Sequence, residues 1–115
     1  MSRKVVWVNG CFDILHRGHI ELFEYAKSLG DVLIVGVDSD ERVKQLKGKT
    51  RPINNLEDRI KMLEAIKYID SVVDFKDDDE LDMQVLLSGA KTMVVGSDYE
   101  NKRVIGSRHV KEVKF

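Results

Sequence analysis

The fold is decided by residues 5–19, which read VVWVNGCFDILHRGH. The first four residues of this stretch are apolar and mostly β-branched, and a continuous run of this kind is typical of a strand that is buried on both faces. Asn9 and Gly10 end the run, and apolar residues return with helical spacing after His19. A buried strand that leads through a glycine-containing turn into a helix predicts the first unit of a parallel α/β sheet.

The alternation of strand and helix continues to the end of the chain. Short apolar runs predict four further strands, at residues 32–37, 72–75, 92–95 and 112–115. Amphipathic stretches predict helices over residues 19–29, 40–46, 56–68 and 79–89. We expect Ser39 and Asn55 to cap the second and third helices, and Ile20 and Met62 to lie on inner helix faces. The sequence therefore predicts the α/β class, as a single Rossmann-like domain with a five-stranded parallel sheet and helices on both faces.

The composition excludes several classes of protein. Of the 115 residues, 43% are hydrophobic and 34% are charged, which suits one compact domain. The 19 basic residues stand against 20 acidic ones, so the chain lacks the basic excess of a nucleic-acid-binding domain. No apolar run approaches the roughly 18 residues that span a bilayer, so we expect neither nucleic acid nor a membrane as a partner. The single cysteine, Cys11, excludes an intrachain disulfide and favours a cytoplasmic protein.

Two histidines at the predicted entrance of the first helix indicate a phosphate site. In open parallel sheets, ligands bind beyond the carboxyl ends of the strands, and His16 and His19 follow such an end. An imidazole at a helix N-terminus can donate a hydrogen bond to an anionic oxygen. Gly18 leaves room for an anion to approach backbone N–H groups, and Gly10 permits a close approach at the strand end. The alternative is that both histidines are ordinary polar residues of a loop.

Two neighbours of the histidines also have plain structural alternatives. Asp13 fits a turn former as well as it fits a site residue, because aspartate is common in turns. Cys11 fits a small space-filling residue better than a nucleophile, since the local sequence places no base beside it.

The run from Gly10 to His19, GCFDILHRGH, resembles the HxGH signature of the cytidylyltransferase-like nucleotidyltransferase superfamily. Within it, the chain is most similar to the adenylyltransferase domain of bacterial ADP-heptose synthases. Glycerol-3-phosphate cytidylyltransferase is the next most similar family, with the histidine motif and the Asp-Arg region but less of the Arg-Pro-Ile-Asn stretch. The segments that carry the resemblance beyond the histidines are Leu46-Lys47-Gly48, Arg51-Pro52-Ile53-Asn54, Glu57-Asp58-Arg59, Gly96-Ser97-Asp98-Tyr99 and Ile105-Gly106-Ser107.

The resemblance implies a nucleotidyltransferase domain over residues 1–115. Such enzymes transfer a nucleoside monophosphate from a nucleoside triphosphate to a small phosphorylated substrate, with Mg²⁺ and release of pyrophosphate. A phosphate oxygen can attack the α-phosphorus without a protein nucleophile, so positioning and charge neutralisation supply most of the rate enhancement. The catalytic residues implied by the motifs are His16, His19, Lys47 and Arg59. The implied nucleotide- or substrate-binding residues are Gly10, Cys11, Phe12, Asp13, Gly18, Asp40, Lys44, Arg51 and Asp98.

Several of these assignments leave alternatives open. Lys44 and Lys47 also fit a solvated helix face, and Asp40 fits a first-turn acid that favours the helix dipole. Asp98 could bind the acceptor, the ribose or a metal ion, and the metal ligands are unknown. Relatives often form dimers, so a homodimer is also an expectation.

The end of the chain departs from the family pattern. Relatives carry a Ser-Thr-Thr segment after the fifth strand, which helps to bind the nucleotide phosphates, whereas this chain stops at Phe115. We expect a portion of a longer chain, a site completed by a partner subunit, or impaired activity. An ADP-heptose-type adenylyltransferase is the first hypothesis, and the alternatives are a glycerol-3-phosphate cytidylyltransferase and a non-catalytic nucleotide-binding domain.

Overall fold

The computed structural model describes residues 3–95 and 104–114, and its elements follow the predicted alternation. The strands are β1 (Val5–Gly10), β2 (Val32–Asp38), β3 (Ser71–Phe75), β4 (Thr92–Val94) and β5 (Glu112–Lys114). The helices are α1 (Arg17–Ser28), α2 (Asp40–Lys47), α3 (Leu56–Glu64) and α4 (Asp78–Ser88). All paired strands are parallel, in the order β3-β2-β1-β4-β5 across the sheet. The predicted five-stranded parallel α/β fold is confirmed.

Successive residues of β1 point into two separate cores, one on each face of the sheet. Val6 and Val8 are buried with Phe23 of α1 and Leu63 of α3. Trp7, which has no exposed surface, packs on the other face in a cluster with side chains of β3, α4 and β4. Because both faces are covered, the strand is continuously apolar.

The order of the strands reverses beside β1. The chain passes from β1 through α1 to β2 on one side, and from β3 through α4 to β4 on the other side of β1. Ligands of open parallel sheets bind at such a reversal, beyond the carboxyl ends of the strands. Asn9 and Gly10 of β1 and Val95, which follows β4, lie at this edge.

The helix caps follow the sequence, and the helix bounds differ from the predicted ones by more than one residue at two ends. The side chains of Ser39 and Asn55 accept hydrogen bonds from the first turns of α2 and α3, as predicted. Helix α1 begins two residues earlier than predicted because His16 caps it. Helix α3 ends at Glu64, short of the predicted Tyr68, because the chain leaves the helix at Ala65 through a succession of turns.

Two apolar side chains point outward where the sequence predicted inner faces. Ile20 and Met62 are 37% and 59% exposed, so that prediction is wrong. Met62 neighbours the fully buried Leu63, and one helical step of about 100° turns its side chain to solvent. Within residues 3–95 and 104–114, no helix has the length and apolar character needed to cross a membrane.

Candidate functional site

A cavity of about 630 Å³ opens at the strand reversal, where the sequence predicted a ligand site. Its lining includes the β1–α1 loop with His19, and the cationic side chains Lys47 of α2 and Arg51. Apolar side chains, among them Leu81 of α4 and Val95, line it as well. Volumes of roughly 300–1,000 Å³ are typical of small-molecule sites, so the cavity has room for a nucleotide-sized ligand.

The side chains of His16 and His19 cap helix α1. His16 Nδ1 accepts the backbone N–H of Gly18 at 3.0 Å, and His19 Nδ1 accepts the backbone N–H of His16 at 3.2 Å. The centroids of the two rings lie 4.1 Å apart. A Cβ at Gly18 would lie 2.8 Å from Cε1 of His16, so the glycine is needed to seat this ring.

The capping contacts fix the tautomer of both imidazoles. A backbone N–H must meet an unprotonated nitrogen, so each neutral ring carries its hydrogen on Nε2. Burial and the neighbouring His16 ring lower the pKa of His19, which keeps His19 neutral. Among the residues that the structure describes, neither Nε2 hydrogen-bonds to a protein atom. The helix N-terminus therefore carries two Nε2–H donors, one exposed at His16 and one at His19 in the cavity wall.

Phe12 supports His19 within the protein. The Phe12 ring is buried and meets the His19 ring edge-on, with centroids 5.5 Å apart. Its backbone has φ of 48°, and a buried aromatic residue in this left-handed region is a strained arrangement of the kind found at functional sites. A Cβ at Gly10 would lie 3.0 Å from Cζ of Phe12, so the glycine makes room for this ring. Direct contact of Phe12 or Gly10 with a substrate stays a prediction.

The Asp13 carboxylate joins two loops. It accepts hydrogen bonds from Arg51 Nε at 2.8 Å and from the backbone N–H groups of Ile53 at 2.7 Å and Asn54 at 2.8 Å. Its burial would raise the pKa of Asp13, but these N–H donors and the Arg51 guanidinium together lower it. Asp13 is 5% exposed and its partners lie about 40 residues along the chain, so it is not a local turn former. It lies in the lining of the cavity, and its direct contact with a substrate stays a prediction.

The predicted cations of the site differ in where they lie. Arg51 lines the cavity, and Asp13 fixes its guanidinium through Nε. Within the described part of the chain, the two Nη groups of Arg51 make no protein hydrogen bond. Lys47 also lines the cavity, whereas Lys44 is exposed and does not, which favours a solvated helix face for Lys44.

The Arg59 guanidinium lies beneath the cavity and is fully enclosed. Its nitrogens donate to the backbone oxygens of Asn54 at 3.0 Å, Cys11 at 3.0 Å and Asp38 at 2.7 Å, and to the Asp40 carboxylate at 2.7 Å. The Arg59 side chain has 0% exposed surface. This geometry contradicts the prediction that Arg59 contacts phosphates, because every nitrogen already donates inside the protein. Asp40 is likewise used to hold Arg59 and does not line the cavity.

Cys11 and Arg42 meet at the Asp38 carboxylate. The Cys11 thiol donates to Asp38 Oδ2 at 3.3 Å, and Arg42 Nε donates to Asp38 Oδ1 at 2.7 Å. Arg42 also pairs with Asp78 of α4 at 2.8 Å. Burial, together with the charge of Asp38, raises the pKa of the Cys11 thiol to about 11. Cys11 therefore stays a thiol at neutral pH, which agrees with the space-filling interpretation and not with a nucleophile.

Three polar residues that line the cavity are absent from the predicted site: Asn9, Asp38 and Arg42. Asn9 and Asp38 lie at the carboxyl ends of adjacent strands, so the rule for open sheets could have found them. Arg42 lies four residues after Asp38, a spacing that allows an ion pair.

Among the described residues, the carboxylates at or near the cavity do not by themselves assemble a Mg²⁺ site. Asp13, Asp38 and Asp40 already bind arginine side chains. In residues 3–95 and 104–114, no group of three or more His, Cys, Asp and Glu side chains could hold a metal ion. Mg²⁺ commonly binds through a few carboxylates and the phosphates of a substrate, so the ion stays a prediction tied to the nucleotide. Asp98 lies outside the described residues.

Comparison with known proteins gives one consistent family. The model of the family described as cytidylyltransferase-like matches residues 7–114. The chain is 49% identical to the bifunctional protein HldE of Sulfurimonas denitrificans and 47% identical to that of Campylobacter fetus, each over 99% of this chain. It spans 24% and 25% of the length of these relatives.

Two solved structures resemble the fold. The lipopolysaccharide core biosynthesis protein from Thermoplasma volcanium superposes with a TM-score of 0.83 at 25% identity, over 99% of this chain and 97% of that chain. A protein of unknown function from Archaeoglobus fulgidus superposes with a TM-score of 0.67 at 21% identity, over 95% of each chain. The second likeness concerns the fold alone.

Proposed function

The chain belongs to the cytidylyltransferase-like family, and from this premise we propose that it transfers a nucleoside monophosphate from a nucleoside triphosphate to a sugar phosphate. The observation that carries the proposal is the pair of imidazoles at the start of α1: His19 lies in the wall of the cavity that Lys47 and Arg51 also line, and the exposed His16 ring lies beside it, with the two ring centroids 4.1 Å apart. One donor and two cations in the cavity, with a second donor beside it, suit a triphosphate, which carries several negative charges and accepts many hydrogen bonds.

The proposed reaction is an in-line displacement at the α-phosphorus. An oxygen of the acceptor phosphate forms the new P–O bond, the bond between the α-phosphorus and its bridging oxygen breaks, and pyrophosphate leaves with the electron pair. The Nε2–H groups of His16 and His19 donate to phosphate oxygens that gain charge in the transition state. Lys47 and the Nη groups of Arg51 neutralise the leaving pyrophosphate. Mg²⁺, when bound with the nucleotide, supplies further neutralisation of the phosphate oxygens.

An adenylyl transfer to heptose 1-phosphate is the specific reaction that we propose. It is supported by the resemblance of the motifs to the ADP-heptose synthase domain. The solved structure of the lipopolysaccharide core biosynthesis protein also agrees with a sugar phosphate as the acceptor. We further expect a cytoplasmic protein without a nucleic-acid partner, and a homodimer, which light scattering of the purified chain would detect.

The test is pyrophosphate release for each pairing of ATP or CTP with heptose 1-phosphate or glycerol 3-phosphate. We expect release with ATP and heptose 1-phosphate, and a loss of turnover by about 10²–10³-fold in His16→Ala. His109→Ala is the matched control, because His109 pairs with Asp82 and does not line the cavity. Release only with CTP and glycerol 3-phosphate would favour the cytidylyltransferase alternative. Nucleotide binding without pyrophosphate release from any pairing would favour the alternative of a non-catalytic nucleotide-binding domain.

A further inference from the structure

Asn9 lies at the strand reversal and lines the cavity. Asn9 is the fifth residue of β1 and is partly buried. On the same face of the strand, two residues earlier, lies Trp7, the only tryptophan of the chain. The Trp7 indole Nε1–H donates to Asn9 Oδ1 at 2.8 Å. A core residue therefore holds a polar residue of the cavity.

This contact determines which way the Asn9 amide faces. The indole nitrogen can only donate, so it must meet the amide oxygen and not the amide nitrogen. The Nδ2–H₂ group of Asn9 is then directed away from Trp7. The orientation follows from the chemistry of the indole and is independent of how the two ends of the amide are assigned.

Trp7 is itself held rigidly. It has 0% exposed surface and lies in a core cluster with Phe75, Leu81 and Met93. A Cβ at Gly36 of the neighbouring strand would lie 2.5 Å from Cζ2 of Trp7, so the indole fits only because this position is a glycine. A ring without freedom to move fixes the amide at its edge, which is preorganisation of a hydrogen-bond donor.

The surroundings of Asn9 favour an anionic ligand. Three cationic side chains, Arg42, Lys47 and Arg51, line the same cavity against two carboxylates, Asp13 and Asp38, so the described lining keeps a positive balance that suits phosphoryl oxygens. A phosphoryl oxygen accepts hydrogen bonds and donates none, which complements the Nδ2–H₂ group. Within residues 3–95 and 104–114, this group makes no hydrogen bond to protein and is not fully buried, so a ligand can reach it.

The geometry points to Asn9 as a further substrate-binding residue, whose amide N–H donates to a phosphoryl oxygen in the cavity, and to Trp7 as the positioning residue that fixes this amide. The inference rests on the proposed function and names a contact within its site. The phosphoryl group belongs either to the nucleotide or to the acceptor sugar phosphate, and separate measurements distinguish the two.

Asn9→Asp gives the sharpest test because it keeps an oxygen for Trp7 and replaces only the donor. In this variant a carboxylate oxygen faces the phosphate, so the affinity for ATP by calorimetry, or the KM for heptose 1-phosphate at saturating ATP, should worsen by roughly 10- to 100-fold. Asn9→Ala should weaken the same quantity by roughly 10-fold, since it removes the donor without adding charge. Gln45→Glu adds the same charge at an exposed position outside the cavity and serves as the matched control.

Each outcome of the Asn9 experiments has a distinct interpretation. If Asn9 only supports Trp7, Asn9→Asp retains native affinity and KM while Asn9→Ala lowers the melting temperature, and that pattern would overturn the inference. A native chain that binds no ATP and releases no pyrophosphate would instead overturn the proposed function, and this inference with it. A shift in ATP affinity assigns the contact to the nucleotide, and a shift in the KM for the sugar phosphate alone assigns it to the acceptor.

The role of Trp7 has its own readout in a double-mutant cycle. Trp7→Phe keeps an aromatic ring but loses the N–H, so the Asn9 amide becomes free to rotate. The further loss caused by Asn9→Ala should then be at least about 2-fold smaller in the Trp7→Phe background than in the native one. Equal losses in both backgrounds would show that Trp7 does not position the amide.

Discussion

Replacing Asp13 by asparagine tests how the two loops of the site are held together. The native carboxylate accepts three hydrogen bonds through two oxygens, from Arg51 and from the backbone N–H groups of Ile53 and Asn54. An asparagine offers one oxygen, and its NH₂ group must face at least one of these donors. The Asp13 side chain is 1% exposed, so water cannot replace the lost acceptor.

The size of the effect follows from this burial. Asp13→Asn breaks at least one hydrogen bond to a charged group, which costs about 1.5–3 kcal/mol, and leaves a buried donor without an acceptor, which costs about 1–3 kcal/mol more, so the expected loss is about 3–5 kcal/mol. The unfolding entropy of a chain of this length is about 0.24 kcal/mol/K at roughly 2.1 cal/mol/K per residue, so the melting temperature should fall by about 12–20 °C. Differential scanning calorimetry measures this shift. Asp74→Asn removes a charge from an exposed strand residue and should shift the melting temperature by only a few degrees.

The pH dependence gives an independent check with a definite sign. The pKa of Asp13 is lower in the folded protein than in the unfolded chain, so its contribution is complete above the unfolded value near 4. That contribution is lost as the pH falls through the folded pKa. The stability difference between the native chain and Asp13→Asn should be constant from pH 8 to pH 5 and shrink below about pH 4. A melting temperature within about 3 °C of the native value at pH 7 would refute the assigned role of Asp13.

Two further predictions concern the floor of the cavity. Arg59→Lys should lower the free energy of unfolding by about 3 kcal/mol or more, and turnover with it, because an ammonium cannot replace a planar guanidinium bonded to four oxygens. Calorimetry measures the stability and pyrophosphate release measures the turnover. Lost turnover at native stability would instead mean that Arg59 contacts substrate. The Cys11 thiol, with its pKa raised to about 11, should react with iodoacetamide at pH 8 much more slowly than free cysteine, and Asp38→Asn should speed the reaction. Mass spectrometry follows the labelling. If Cys11 of the native chain were labelled as fast as free cysteine, its burial and its contact with Asp38 would be contradicted.

The sequence was sufficient to predict the fold because the patterns that indicate strands and helix caps are local. The strand beginning at Val5 is apolar at every position until Asn9, and only a strand covered on both faces needs that pattern. Ser39 and Asn55 stand directly before amphipathic stretches and cap them as predicted. The pattern does not fix every side chain of an inner helix face, since Met62 is exposed although it lies one helical step from the buried Leu63.

The sequence predicts where the site lies, but it predicts the role of each residue in the site less well. His16 and His19 were found from their spacing, but their capping of α1 through Nδ1 depends on backbone geometry that residue types do not encode. Arg59 was assigned to phosphates because it is a cation at a motif position. Three of its four partners are backbone oxygens, two of them from residues distant in the sequence, and residue types do not show which backbone oxygens accept hydrogen bonds. Residue types therefore predict which functional groups the site contains, and burial determines which of these groups a ligand can reach.

If phosphoryl groups bind at the two imidazoles that begin α1, ¹⁵N NMR of the histidine side chains during a titration with ATP will show it. The chain has three histidines, and His109 is a built-in control because its Nε2 pairs with Asp82. We predict that His16 and His19 carry hydrogen on Nε2 and none on Nδ1 at pH 7.5, and that both Nε2 resonances shift on addition of ATP while His109 stays unchanged. Resonances of His16 and His19 that do not move at saturating ATP would contradict the claim.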